Sequence, residues 1–378
     1  MSAPSIPNLL SLRGGATGRG RGRGRGPSAG PGSASAPTSS GRHDATIQGT
    51  DNDAAVSRTS AVELGYLSDP FAAAFSDSRG QRRLPIINRG TYTRTTAIDI
   101  LVNHFLSSTD SSKPRQIVSL GAGTDTRSCR VFTSPENHSN ISYHEIDFPT
   151  IISRKKQTIL SHPLPSRVLS PTQSDDTSES ISTTFHHRSV PGNTLTLHAL
   201  DLRDLTPSHS PLLSLSPSYP TLLLSECCLC YLPLPSNHSL LSFFSSFSSL
   251  GLVIYEPILP NDAFGKMMVS NLAARGITMP TLSAYPTPTD QEKRLHEIPG
   301  GGLKEARSKT IDQIWEGWVS DDEKERVNSL EGGLDEVEEW RLLAGHYIVA
   351  WGWRGEGWDL DVDGGRLKPP SGPGTPTR

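Results

Sequence analysis

Ile117-Val-Ser-Leu-Gly-Ala-Gly-Thr-Asp-Thr-Arg127 decides the fold of this chain. Ile117, Val118 and Leu120 read as a short buried strand. Gly121 and Gly123 then force a tight turn, and Thr124, Asp125 and Thr126 open a helix. Strand, Gly-x-Gly turn and helix start together form a cradle for a nucleotide-type ligand. Glycine lets the backbone come close, and the first helical N–H groups are free to donate.

A dinucleotide fingerprint requires G-x-G-x-x-G, with the third glycine for close helix–strand packing. Thr126 stands in that place, so the pyrophosphate version is incomplete. Tyr143-His-Glu-Ile-Asp147 reads as a second strand ending in a carboxylate, 24 residues after Gly123. A doubly wound fold sets its ribose-binding acid at about that distance. These features suit S-adenosylmethionine as well as NAD, and the missing glycine favours the methyl donor.

Working outward, the folded part is expected over 57–353. Ala61–Leu67, Pro70–Phe75, Thr95–Phe105 and Phe264–Leu272 carry helical periodicity. Gln116–Leu120, Ser142–Asp147, Thr194–Leu200, Thr221–Cys230, Gly251–Tyr255 and His346–Trp353 read as strands. Strands alternating with helical segments imply a mostly parallel sheet, whose ligands bind at the strands' carboxyl ends. Asp147, Asp201, Glu226 and Glu256 stand at or near such ends and suggest one polar crevice. Glu226 interrupts an apolar run and needs a partner, either a ligand or a nearby arginine.

Residues 1–56 are expected to be disordered, because Arg-Gly repeats between Gly18 and Gly26 give way to Ser, Pro, Ala and Gly. The segments 165–191, rich in Ser and Thr, and 354–378 are expected to be a surface loop and a disordered tail. Region 260–345 is expected to contribute in part a cap over the site. The 378 residues carry a formal net charge of -3, which offers nucleic acid no general attraction; only the Arg-Gly tract could bind RNA weakly. No apolar run reaches membrane-span length. Cys129, Cys227, Cys228 and Cys230 give no disulfide framework and no common zinc spacing, so no metal is expected. The compartment this suggests is the reducing cytoplasm, with the nucleus as a second place.

Several segments, in order, resemble the leucine carboxyl methyltransferase family. They are Glu63-Leu-Gly-Tyr-Leu-Ser-Asp-Pro70, Pro85-Ile-Ile-Asn-Arg-Gly90 with Arg94, the glycine turn with Asp125, and Glu145-Ile-Asp-Phe-Pro149 with Arg154-Lys155. Asp201-Leu-Arg-Asp-Leu205, Ser225-Glu-Cys-Cys-Leu-Cys-Tyr231, Tyr255-Glu-Pro257 with Asp262-Ala-Phe-Gly265, and Leu334-Asp-Glu336 with Gly345-His-Tyr347 complete the series. The resemblance runs from about Arg58 to Trp353. It implies a class I S-adenosylmethionine-dependent methyltransferase, an α/β Rossmann-like fold with a mostly parallel sheet and helical cap insertions. The implied activity is methyl esterification of the C-terminal leucine of the protein phosphatase 2A catalytic subunit, by a monomer that needs no membrane.

By the resemblance, S-adenosylmethionine would meet Arg58, Arg94, Gly121, Gly123, Asp147, Asp201, Leu202 and Glu226. Arg94 would meet the donor's carboxylate, Asp147 the ribose hydroxyls, and Asp201 with Leu202 the adenine. The family often carries Lys where Arg58 stands, and Arg keeps the charge but alters the geometry. Arg203 and Tyr231 adjoin these motifs and are expected to orient the substrate carboxylate, although Arg203 could instead pair with Asp201 or Asp204. Two other readings stay open on the sequence. One is a related methyltransferase of the tRNA wybutosine type, which carries a long C-terminal extension. The other is an RNA-associated scaffold with a degenerate core.

Overall fold

The computed structural model describes residues 39–76, 80–136, 138–172 and 182–362, with 39–43 described in backbone only. Among these residues nine strands form one sheet in the order β3-β4-β5-β2-β1-β6-β7-β9-β8. The strands are β1 (Arg115–Leu120), β2 (Ile141–Asp147), β3 (Leu169–Pro171), β4 (Ser182–His187), β5 (Thr194–Ala199), β6 (Thr221–Glu226), β7 (Leu250–Pro257), β8 (Glu305–Thr310) and β9 (Tyr347–Arg354). The centre, β5-β2-β1-β6-β7, is parallel throughout. β9 runs antiparallel to both β7 and β8. That inserted antiparallel strand departs from the 3-2-1-4-5-6 order of a dinucleotide-binding fold.

The helices are α1 (Ser39–Glu63), α2 (Pro85–Ser108), α3 (Arg127–Phe132), α4 (Pro149–Ser161), α5 (Pro163–Val168) and α6 (Leu234–Phe243). They continue with α7 (Ala263–Ala274), α8 (Pro280–Ala284), α9 (Pro288–His296), α10 (Ile311–Trp318), α11 (Asp321–Asn328) and α12 (Val337–Gly345). Proline opens α2, α4, α5, α8 and α9, where its missing N–H costs nothing. Thr287 with Asp290, and Thr310 with Gln313, close capping boxes on α9 and α10. Among the described residues no helix is long and apolar enough to cross a membrane.

The central strands read as unbroken apolar runs because helices cover both faces. Ile117, Leu222, Leu224, Val253, Tyr255, Val349 and Trp351 pack on one face, with α2, α10 and α12. Val118, Ile146, Leu223, Leu252, Ile254 and Ala350 pack on the other, with α6 and α9. Alternation along each strand thus divides two cores, as the two-residue period of a strand requires. From β1 the chain moves outward to β2 and β5, then crosses back to β6 and β7. The gap between β1 and β6 is therefore the topological switch point, where such sheets bind ligands.

The structure corrects several sequence expectations. Residues 39–56 are not an unstructured tail but most of α1, with Ala55 and Val56 buried; the Arg-Gly tract lies outside the described residues. The stretch 165–191 contains α5's end and the antiparallel pair β3–β4, anchored by fully buried Leu169 and Phe185; 173–181 lie outside the described residues. The start of 354–378 is also built in. Trp358, Leu360 and Val362 are buried, Trp351 Nε1 donates to Leu360 O (2.9 Å), and Trp358 meets Phe105 edge-on at 5.1 Å. β6 stops at Glu226 rather than Cys230, because Cys227 takes a left-handed φ of 50° and Leu229–Tyr231 forms a 3-10 turn. Ala61–Glu63 belongs to α1, and Ala72–Ala74 is a 3-10 turn.

Candidate active site

A cavity of about 360 Å³ opens at the switch point. Its floor is the turn after β1. Gly121 and Gly123 adopt φ of 63° and 47°, a region side chains resist. A Cβ at Gly121 would stand 2.6 Å from Cys228 Sγ, so the turn is closed against the β6 end without room for a side chain.

Each neighbouring strand end brings one acid to this floor. Asp147 ends β2, and its two oxygens accept from Gly123 N (2.7 Å) and Phe148 N (2.7 Å). Burial raises its pKa to about 6, against the pull of those two N–H groups. Asp201 follows β5 and accepts from Arg203 N at 2.9 Å. Burial works against its charge, but Arg203 holds it below the usual carboxylate range. Leu200 and Leu202 line the wall beside it.

Glu226 ends β6 and carries the partner its sequence context demanded. Its oxygens meet Arg94 Nε at 2.8 Å and an Arg127 terminal nitrogen at 3.2 Å. Arg94 comes from α2 and lies over the Tyr255 ring, 5.4 Å from its centre. Arg127, 1% exposed, also pairs with Asp99 (2.9 Å) and with Asp125. Arg58 pairs with Asp69 (3.4 Å) and Asp125 (3.6 Å). Burial opposes the Asp125 charge, yet Arg127, Arg58 and Arg130 hold its carboxyl well below the ordinary range. The glycine turn therefore rests on an ion network that fixes Glu226 and Arg94 at the cavity edge.

The structure brings Arg58, Arg94, Gly121, Gly123, Asp147, Asp201, Leu202, Arg203, Glu226 and Tyr231 together around this one cavity. Glu256 is absent from it. It is fully buried elsewhere, bonded to Arg294 (2.9 Å) and Thr281 (2.9 Å). Arg203 reaches the wall, but its guanidinium is committed to Asp201 and, through two bonds of 3.0 and 2.8 Å, to Asp44. The pairing with Asp201 is the alternative that the sequence left open beside an expected role toward a substrate carboxylate. The Tyr231 hydroxyl is buried, with no hydrogen-bond partner of good geometry among the described residues. The Thr50 hydroxyl beside it donates to Ile47 O at 2.7 Å and keeps lone pairs that could accept.

α1 supplies what the sequence did not announce. Asp44, Gln48 and Asp51 lie on one face at helical spacing and close over the cavity. Asp44 holds Arg203, Gln48 accepts from Thr150 Oγ1 (2.8 Å), and Asp51 accepts from Thr124 N (2.7 Å). Their i, i+4, i+7 spacing was the available signal, masked by the Gly and Asp around it. In all, six carboxylates (Asp44, Asp51, Asp125, Asp147, Asp201, Glu226) face three arginines in the lining. The surplus of negative charge suits a cationic ligand.

Comparison with known proteins gives the family. Residues 46–245 match the family described as Leucine carboxyl methyltransferase. The chain is similar to "Leucine carboxyl methyltransferase 1" of Emericella nidulans, 47% identical over 96% of this chain and 99% of that one. It is similar to the protein of the same name from Aspergillus fumigatus, 46% identical over 96% of this chain and 97% of that one. Among solved structures, a putative methyltransferase from Thermobifida fusca aligns over 80% of this chain and 94% of that one at 11% identity, with a TM-score of 0.45. A score that low adds nothing to what the strand order shows.

Proposed function

The chain belongs to the leucine carboxyl methyltransferase family and is a methyltransferase, and from that premise we propose that it methylates the α-carboxylate of the C-terminal leucine of the protein phosphatase 2A catalytic subunit, with S-adenosylmethionine as donor. The observation that carries the donor is the switch-point cavity itself. A side-chain-free turn between Asp147 and Glu226 lies in a lining where carboxylates outnumber arginines two to one. A sulfonium ligand brings the positive charge such a lining favours, and loses it on transfer.

When bound, S-adenosylmethionine supplies an electrophilic methyl group on sulfur. The residues of the chain position and enclose. Asp147 keeps lone pairs for ribose hydroxyls beyond those used by Gly123 and Phe148. Leu200 and Leu202 offer an apolar wall for adenine beside Asp201. Arg94 and Arg58 present cationic groups for a carboxylate, and the network through Arg127 and Asp125 keeps them from swinging away. The Tyr231 hydroxyl, on the lining, is a donor that can turn toward the acceptor.

A C-terminal carboxylate has a pKa near 3.5, so it is ionised at neutral pH and its oxygen is already a nucleophile. The site therefore needs no general base. Charge is cancelled as the oxygen meets the methyl, and water, which favours separated ions, would slow that step. Orientation and exclusion of water are the work left to the protein, and orientation alone can supply roughly 7–11 kcal/mol. α1, with Asp44, Gln48 and Asp51 bonded across the cavity, provides that closure.

The test is incubation with labelled S-adenosylmethionine and the phosphatase core enzyme. Base-labile label on the intact catalytic subunit, absent from a leucine-truncated one, is expected. No label on the intact subunit, or equal label on both, refutes the substrate.

A further inference from the structure

α1 contributes a carboxylate oxygen whose place the family resemblance did not predict. Asp51 Oδ1 is satisfied: it accepts from Thr124 N at 2.7 Å and from Thr124 Oγ1 at 2.8 Å. Asp51 Oδ2 is buried and has no hydrogen-bond partner among the described residues. An acceptor buried without a donor is costly, and a charged one more so. Asp51 lines the cavity, so the donor it lacks is one that a ligand can bring.

Its position narrows the choice. Gly123 N donates to Asp147 and Thr124 N donates to Asp51, both at 2.7 Å. These are consecutive amides of one turn, whose Cα atoms stand about 3.8 Å apart. The two carboxylates therefore sit side by side, one from the end of β2 and one from α1. A Cβ on Gly123 would run into the Asp51 carboxylate, which shows how tightly α1 is laid on the turn. Glu226 and Arg94, by contrast, are at the β6 end, across β1 from this pair. Two adjacent carboxylates on one cavity wall match two adjacent hydroxyl donors, which Asp51 Oδ2, buried as it is, would meet after a small turn of its side chain.

We infer that Asp51 is a second ribose-positioning residue, its Oδ2 accepting from one hydroxyl of the vicinal diol while Asp147 serves the other. The inference rests on the methyl-donor reading and adds to it a residue outside the motifs of β1, β2, β5 and β6. It also gives α1 a chemical task in the closed cavity, since donor binding would tie the helix down through Asp51.

The probe is S-adenosylhomocysteine, titrated by calorimetry against the full chain alongside its 2′-deoxy, 3′-deoxy and deaminated analogues. Asp51→Asn keeps an oxygen for Thr124 and replaces the unpaired oxygen with an amide nitrogen that cannot accept. It is expected to weaken S-adenosylhomocysteine by roughly tenfold to hundredfold. One deoxy analogue is expected to bind wild type with a similar loss and to lose nothing further in Asp51→Asn. Asp51→Ala, a second variant, is expected to show the same lost discrimination. Undiminished affinity in Asp51→Asn overturns the inference. So does an equal loss for every ligand, which would make Asp51 only a latch on the turn. Coupling to the deaminated analogue instead of a deoxy one assigns Asp51 to the ammonium and overturns the ribose role. If wild type fails to bind S-adenosylhomocysteine at all, the methyl-donor reading itself falls and takes the inference with it.

Discussion

Glu226 and Glu256 look alike in the sequence. Each stands at or next to the end of a strand of the parallel core, and those strands, β6 and β7, are hydrogen-bonded neighbours. Yet Glu226 stands at the cavity edge between Arg94 and Arg127, while Glu256 is sealed against Arg294 of α9. The register explains it. Glu226 pairs with Tyr255, so Glu256 is one residue further and points to the opposite face. Tyr255 shares the Glu226 face, which is why Arg94 covers both. A strand end brings a carboxylate near a site, and a single residue of register decides whether it faces a ligand or a helix.

The largest break expected of this contrast is Glu256→Ala. It strands the buried Arg294 guanidinium, at a cost of about 3–5 kcal/mol of stability. Urea unfolding should show it, and the folded fraction should bind S-adenosylhomocysteine as wild type does. Weakened binding with intact stability would reverse the assignment of faces.

Glu226→Ala is expected to do the opposite. Arg127 retains Asp99 and Asp125, so stability falls by less than for Glu256→Ala. Affinity for S-adenosylhomocysteine should drop at least tenfold, roughly 1.4 kcal/mol or more, because Arg94 is released from its place. A titration showing unchanged affinity would leave Glu226 a structural acid like its neighbour.

β2 repeats the contrast with a pH signature. Asp147 faces the cavity, and His144, three residues earlier, is on the other face, stacked on His198 with ring nitrogens 3.0 Å apart. Burial lowers the His144 pKa to about 3 and the His198 pKa to about 4. The unfolded chain takes up protons near pH 6.5 that the native pair refuses, so their contribution is complete above pH 6.5 and is lost as pH falls. Asp147, raised to about 6, binds its proton earlier in the native state and offsets part of that loss between pH 6 and about 4. Two histidines outweigh one aspartate, and unfolding free energy should fall by about 2 kcal/mol from pH 7 to pH 5. A flat urea midpoint over that range would contradict the buried neutral pair.

Thr281→Val is the smallest step. It removes one bond to Glu256 (2.9 Å) and should cost roughly 1.5 kcal/mol, with no change in ligand affinity. A loss of affinity would mean that the Glu256 side of the sheet communicates with the cavity.

Much of the fold was legible because its signals are local. Gly121 and Gly123 were readable as a turn, and the apolar runs of β1, β6 and β7 as strands covered on both sides. β8, Glu-Ala-Arg-Ser-Lys-Thr, is mostly polar and gains its place by pairing with β9. α1 is rich in Ser, Thr and Asp, poor formers of isolated helix, and is held by Asp44, Gln48, Asp51 and Arg58 reaching other elements. Arg203 was legible as a site neighbour and as a possible partner of Asp201, but not as the partner of Asp44, which lies 159 positions away.

By itself the sequence determined the parallel core, the side-chain-free turn after β1 and the acids that follow β2, β5 and β6. These depend on residue type and near neighbours: glycine for positive φ, alternating or continuous apolar residues for strands, and chain order for strand ends. The tertiary structure alone decided which acid faces the cavity, that Asp44 joins Asp201 on Arg203, and that α1 closes the site. Those outcomes depend on register between strands and on which element packs against each face, and neither is a local property of the chain.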